Sequence, residues 1–223
     1  MVPFIITDDD KNVKPVVQMT EFFPIPIGFC NLDKTVIEKI TESIKIEEVT
    51  FRNAKKTHSV SSDLYILNRD ELSDIKQVLT DSVNDYFKQV VNCDKDTELY
   101  ITTSCINIYK NGDSHHVHLH RNSIVSAVLY IDTCEDDTIS FSNPNTDFFG
   151  NLRFTESSKT KWLAPEWVLP ATTNRLIMFP ATLPHFVSPR PNICKGTRVS
   201  LAFNTWVKGG IGGDENSADQ LRF

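Results

Sequence analysis

Apolar residues in the first half of the chain recur with helical spacing, whereas in the second half they fall into short alternating runs. Leu32, Val36, Ile37, Ile40 and Ile44 lie on one helical face behind Asn31 and Asp33, residues suited to cap an N-terminus, and predict a helix over about 33–46. Leu72, Ile75, Val78, Leu79, Val83, Tyr86, Phe87 and Val90 form a longer stripe, opened by Asp70 and bounded by Asn92 and Asp94. Both stripes read as the core-facing sides of amphipathic helices covering a sheet. Ahead of them, Phe22 to Ile27 contains Pro24 and Pro26 and fits a short edge strand, where a missing backbone donor can face solvent.

From Glu98 onward the texture changes to β-branched and aromatic runs separated by Gly, Pro, Asn and Asp. The strands predicted are 98–109, 123–132, 137–142, 152–155, 166–169, 174–179, 185–188 and 197–207. Eight short strands with no helical stripe between them indicate a mainly β fold, a double-sheet jelly roll (double-stranded β-helix) with an N-terminal helical layer. A single domain of 223 residues is expected, with 1–97 as helical support, 98–207 as the jelly-roll core and 208–223 as a loose, Gly-rich tail.

A formal net charge of -6 gives no general attraction to phosphate backbones or anionic lipid, which counts against a nucleic-acid or membrane partner. The five cysteines are odd in number, widely spaced and free of any C-x-x-C pair, so they read as buried thiols in a reducing compartment. The start of the chain lacks a basic leader, and no run approaches the ~20 apolar residues of a membrane span. A cytoplasmic protein is expected.

Chemistry concentrates in His115-His116-Val117-His118-Leu119-His120, which holds four of the six histidines, and in the distant Leu183-Pro184-His185. Residues i and i+2 of a strand share a face, so His118 and His120 can offer two imidazoles to one metal and His185 a third. Three protein ligands leave positions open for oxygen and a cosubstrate, the layout of a non-haem iron site. His115 and His116 read as a polar loop, with His116 on the face of His118 and suited to steady it.

Asn107-Ile108-Tyr109-Lys110-Asn111-Gly112, then His118-x-His120, Pro184-His185 and Arg198-Val199-Ser200 together resemble the ordered signature of the Fe(II)/2-oxoglutarate-dependent oxygenases. His118-Leu119-His120-Arg121-Asn122-Ser123, with Ser126 to Tyr130 and Arg198 to Asn204, is similar to a phage and marine-bacterial branch of that superfamily. The likeness covers roughly 100–205. It implies Fe(II), 2-oxoglutarate and O2, and hydroxylation of a C–H bond on a peptide side chain or small molecule, with release of succinate and CO2.

Residue by residue, His118 and His185 match the family's two histidine positions, and His120 falls where most members carry Asp or Glu. A neutral third ligand leaves the site one unit more positive. The resemblance gives Arg198 the remote carboxylate of 2-oxoglutarate, which a guanidinium can bind through two parallel hydrogen bonds. Ser200 shares the strand face of Arg198, and Asn107 and Tyr109 share a face of the first long strand, aimed at the same cosubstrate. Asn122 and Asn204 are candidates for binding backbone near the site. Substrate selection is expected in loops 50–63 and 143–165, with Trp162, Trp167, Phe148 and Phe149 anchoring a long loop or lining a cleft.

Two other chemistries compete. No cysteine carries a recognisable nucleophile motif, which disfavours a Cys–His hydrolase. A cupin-like three-histidine metal protein, either a dioxygenase working without 2-oxoglutarate or a non-catalytic binding module, shares the jelly roll and the His-x-His pair. Arg198 with Ser200 separates the two, because an anion-binding pair has no obvious task where no anionic cosubstrate enters.

Overall fold

The computed structural model describes residues 24–46, 49–54, 57–92, 96–144, 160–162, 164–190, 196–212 and 221–222. Two antiparallel sheets face each other. The larger contains β1 (Gly28–Asn31), β2 (Phe51–Ala54), β3 (His58–Ser61), β4 (Glu98–Tyr109), β6 (Val125–Asp132), β9 (Arg175–Pro180) and β11 (Arg198–Lys208), in the order β1-β9-β6-β11-β4-β3-β2. The smaller contains β5 (His115–His118), β7 (Thr138–Ser142), β8 (Glu166–Pro170) and β10 (His185–Val187), in the order β5-β10-β7-β8. From β4 to β11 the chain passes back and forth between the sheets, the winding of a double-stranded β-helix.

Helix α1 (Lys34–Ile44) starts where the Asp33 carboxylate accepts from the Thr35 backbone N–H at 2.9 Å, and it stops at Lys45 in the left-handed region. Helix α2 (Ser73–Val91) follows a 3-10 turn over Asp70–Leu72, so its regular part begins slightly later than the apolar stripe suggests. Ile40, Ile44, Leu79, Val83 and Phe87 of these helices share a core with Leu99, Ile106, Leu201 and Phe203 on the outer face of the large sheet. A second cluster, with Tyr130, Phe141, Phe179 and Leu183, fills part of the space between the sheets.

A bulge in β4 sets which residues face inward. Asn204 pairs with Thr103 but Thr205 pairs with Ile101, so Thr102 is the extra residue. The insertion changes the phase of alternation: Leu99 and Ile101 before it, and Ile106 and Ile108 after it, pack on the helical side. Thr103, Cys105, Asn107 and Tyr109 then line the space between the sheets.

Several expectations need correction. The edge strand expected at 22–27 begins at Gly28 instead, beyond Pro24 and Pro26, which cannot donate to a ladder; residues 22–23 lie outside the described part. The region before residue 98 is more than helical support, because β1, β2 and β3 extend both edges of the large sheet. Segment 50–63 is largely the β2–β3 hairpin rather than a loop. Strand β5 was absent from the strands predicted by the apolar runs, although the His118/His120 spacing argument assumed extended backbone there, whereas the strand expected at 152–155 and most of 143–165, Phe148 and Phe149 included, lie outside the described residues. In the tail, Gly210–Ile211 (β12) pairs with Leu221–Arg222 (β13).

The reading of five free thiols also fails at one position. Cys134 is disulfide-bonded, while Cys30 and Cys105 are free. No described helix is long and apolar enough to cross a membrane.

Candidate active site

The side chains of His118, His120 and His185 meet at one end of the space between the sheets, with a ligand atom of each within 4.8 Å of the others. His118 and His185 are direct cross-strand partners in the β5–β10 ladder. That pairing holds adjacent side chains close on one face. His120 lies just past the end of β5, and its backbone N–H donates to Ala181 O at 2.9 Å in the turn leading to β10. It therefore reaches the cluster from an anchored turn, not by strand alternation. The next residues reverse the chain, with Asn122 at φ 56°, a left-handed position that Asn tolerates; Asn122 serves the turn.

Backbone carbonyls fix two of the rings. His118 Nδ1 lies 2.8 Å from His116 O, and His185 Nδ1 lies 3.0 Å from Leu183 O. A carbonyl can only accept, so each Nδ1 carries the proton and each Nε2 keeps its lone pair for the cavity. Burial pushes the pKa of His120 down to about 4 and that of His185 to about 3, with the neighbouring His118 adding to both, and His118 itself is lowered mainly by burial. All three imidazoles are neutral at pH 7, the form a metal requires.

His115 is not in a polar loop. It faces inward, stacked on His118 with ring centroids 3.9 Å apart, because β5 is irregular: His185 pairs with His118 but Val187 pairs with His115. Three steps along β5 thus match two along β10, and His115 and His118 turn to the same side. His116 points outward and contributes its carbonyl, not its ring. His58, unremarkable in the sequence, is buried in the same wall, stacked at 4.6 Å on Tyr109 and 4.5 Å from the His115 ring. Its position follows from the β3–β4 pairing, which no local motif announces.

The large sheet supplies the other end of the site. Arg198 is the β11 partner of Tyr109, and Ser200 is the partner of Asn107, so all four side chains share one face of two adjacent strands. They line a cavity of ≈ 340 Å³ together with the three histidines. Arg198 is 2% exposed. Its Nη1 donates to Thr138 O at 2.7 Å, and its guanidinium carbon sits 5.0 Å from the ring centres of both Tyr109 and Tyr130. No carboxylate reaches it among the described residues, and its buried Nε has no hydrogen-bond partner. A desolvated guanidinium in this condition has the chemistry to accept an anion.

Asn204 lines the same cavity but binds side chains, accepting from Ser126 Oγ at 2.7 Å and donating to Thr103 Oγ1 at 3.1 Å. Trp167 is 52% exposed on β8 and takes no part in the cavity wall.

The described residues fit a divalent metal with a chelating anionic cosubstrate on two counts: three neutral nitrogens converge at one end, and an unanswered buried cation waits at the other. A family model for 2OG-Fe(II) oxygenases matches residues 103–204, the stretch that carries all of these groups. No curated protein matches the sequence. Among solved structures, HygX from Streptomyces hygroscopicus, crystallised with nickel, 2-oxoglutarate and hygromycin B, is 10% identical with a TM-score of 0.56, over 81% of this chain and 82% of its own. A Pseudomonas putida prolyl-4-hydroxylase is 15% identical with a TM-score of 0.54, over 81% of this chain and 92% of its own. The epimerase SnoN of nogalamycin biosynthesis is 13% identical with a TM-score of 0.57, over 89% of both chains. At these identities the likenesses establish the shared double-stranded β-helix.

Proposed function

We propose, from the match of residues 103–204 to the 2OG-Fe(II) oxygenase family model, that this protein is an iron- and 2-oxoglutarate-dependent oxygenase that hydroxylates a C–H bond of a small molecule or peptide side chain. His118, His120 and His185 hold Fe(II), and Arg198 with Ser200, Asn107 and Tyr109 holds 2-oxoglutarate. The single observation that carries the reading is Arg198, buried between two tyrosine rings with its Nε unanswered.

When bound, the iron would activate O2, the oxidant, with the 2-oxo acid as the two-electron co-reductant: one oxygen atom would leave in succinate, with CO2 released, and the other would enter the C–H bond. The chain's residues orient and exclude. Carbonyls of His116 and Leu183 lock the tautomers that present Nε2 to the metal. Arg198 fixes the remote carboxylate and therefore the distance of the 2-oxo end from the histidines. Tyr109, His58 and His115 stack into a wall that keeps water from the cosubstrate.

A second reading keeps one observation in its favour, the imidazole of His120 where the family's usual carboxylate stands. In that reading the site is a three-histidine metal centre without 2-oxoglutarate. Succinate distinguishes the two: iron-loaded protein in air, followed by mass spectrometry with a panel of candidate peptides and metabolites, is expected to produce succinate above the His185→Ala and metal-free controls. Succinate at control level across the panel would contradict the oxygenase reading.

A further inference from the structure

Three charged side chains other than histidine are buried among the described residues: one carboxylate, Asp137, and two guanidiniums, Arg190 and Arg198. One acid cannot neutralise two arginines. Whichever guanidinium takes Asp137 leaves the other to an anion from outside, and the fold determines which one that is.

Asp137 is close to both. It immediately precedes Thr138, whose carbonyl accepts from Arg198 Nη1 at 2.7 Å. Asp137, Arg190, Arg198 and Tyr109 line one small cavity of ≈ 80 Å³ behind the cosubstrate end of the site. The Tyr130 hydroxyl registers both charges, since Arg198 favours its ionisation and Asp137 opposes it, although burial dominates and raises its pKa. A buried carboxylate beside a buried guanidinium pairs with it unless held elsewhere.

Arg190 does the holding. Its Nε donates to Asp137 Oδ1 at 2.8 Å and its Nη2 to Oδ2 at 3.2 Å, and Oδ2 also accepts the Cys134 N–H at 2.8 Å. The remaining nitrogen of the guanidinium, Nη1, is used as well, by Asn111 Oδ1 at 3.2 Å and Gly196 O at 2.7 Å. The backbone of Arg190 is clamped to the β4–β5 turn, donating to Asp113 O and accepting from the Gly112 N–H, each at 2.9 Å. Every guanidinium nitrogen of Arg190 is thereby engaged and the residue is fixed, whereas Arg198 retains an unanswered Nε.

We infer that Arg190 is a positioning residue for the cosubstrate: by keeping Asp137 in a closed ion pair it holds Arg198 free to bind the remote carboxylate of 2-oxoglutarate. Without Arg190, the Asp137 carboxylate turns toward Arg198 and competes with the ligand from inside the protein. The inference rests on the proposed role of Arg198, and it concerns binding rather than turnover.

The test is anaerobic calorimetry of 2-oxoglutarate with Mn(II)-loaded wild type, Arg190→Met and the double variant Arg190→Met/Asp137→Asn, each first checked for cooperative unfolding. Arg190→Met is expected to weaken 2-oxoglutarate by ~10-fold or more with Mn(II) affinity unchanged, and the double variant, with no carboxylate left to compete, is expected to recover most of the loss. Arg190→Gln replaces Arg190→Met in both variants if the latter does not fold. Wild-type affinity in the folded single variant, or no recovery in the double variant, would reduce the Arg190–Asp137 pair to a structural clamp and overturn the inference alone. Absence of 2-oxoglutarate binding by the wild type would overturn the proposed function as well.

Discussion

The two ends of the cavity solve opposite electrostatic problems. At the histidine end the buried groups are neutral, and the Nδ1 atoms of His118 and His185 are already committed to carbonyls, leaving lone pairs toward the centre. At the arginine end a full positive charge is buried with one nitrogen unanswered. The first end accepts a cation at little cost in reorganisation. The second carries a desolvation cost that an anion would offset. The difference shows how one cavity can suit two oppositely charged ligands: neutral nitrogen donors suit a cation at one end, and a buried guanidinium suits an anion at the other.

Removing a histidine should break the comparison most severely. His185→Ala deletes a ligand whose ring is locked by Leu183 O, and metal affinity measured by titration with Fe(II) or Mn(II) is expected to fall by more than the ~10–100-fold typical of lost outer contacts. His120→Ala should have a smaller effect, since its ring lies beyond the strand pair. Unchanged stoichiometric binding by His185→Ala would remove the metal site.

Arg198→Ala acts on the other end only. It is expected to weaken 2-oxoglutarate by ~2–5 kcal/mol while leaving metal affinity as in wild type. A variant that loses both ligands equally would show that the two ends are not separable.

Acid tests the neutral end by itself. The pKa values of His120 and His185 are depressed to about 4 and about 3 in the folded chain, against ~6.5 when unfolded. The unfolded chain therefore takes up protons first as the pH falls. Their contribution to stability is complete above pH ~6.5 and is lost as the pH drops toward 3, by on the order of 1 kcal/mol per pH unit for each histidine. Metal-free protein followed by denaturant unfolding should show this slope, and His185→Gln should flatten it.

The smallest effect expected is also the most pointed. If Arg198 is a desolvated charge waiting for an anion, Arg198→Met should raise the stability of the ligand-free protein by ~1 kcal/mol, with the gain cancelled when 2-oxoglutarate is added to wild type. A clear loss of ligand-free stability would mean that the contacts to Thr138, Tyr109 and Tyr130 outweigh desolvation.

The two ends also differed in how well the sequence announced them. Strands β4 and β11 are long, and alternation alone put Asn107, Tyr109, Arg198 and Ser200 on the correct faces; the β4 bulge at Thr102 lies before them and does not disturb their phase. At the histidine end alternation misled. The irregular β5–β10 register brings His115 inward beside His118, and His120 gets its place from a hydrogen bond to Ala181 after the strand has ended. His58 was invisible because the β2–β3 hairpin, written in Arg, Asn, Lys, His and Ser, looks like a loop until a sheet edge is present to receive it. The pairing of Asp137 with Arg190 joins residues 53 positions apart and has no local pattern at all.

The central claim is that one cavity joins a three-histidine metal site to an anion receptor, and the most direct measurement is the affinity of 2-oxoglutarate for metal-free and Mn(II)-loaded wild type under anaerobic conditions. Chelation of the metal adds to the hold of Arg198, so Mn(II) is expected to tighten 2-oxoglutarate by ~10-fold or more, at one equivalent of each. Stoichiometric Mn(II) binding with no 2-oxoglutarate binding in either state would contradict the account and leave a three-histidine metal protein with some other ligand.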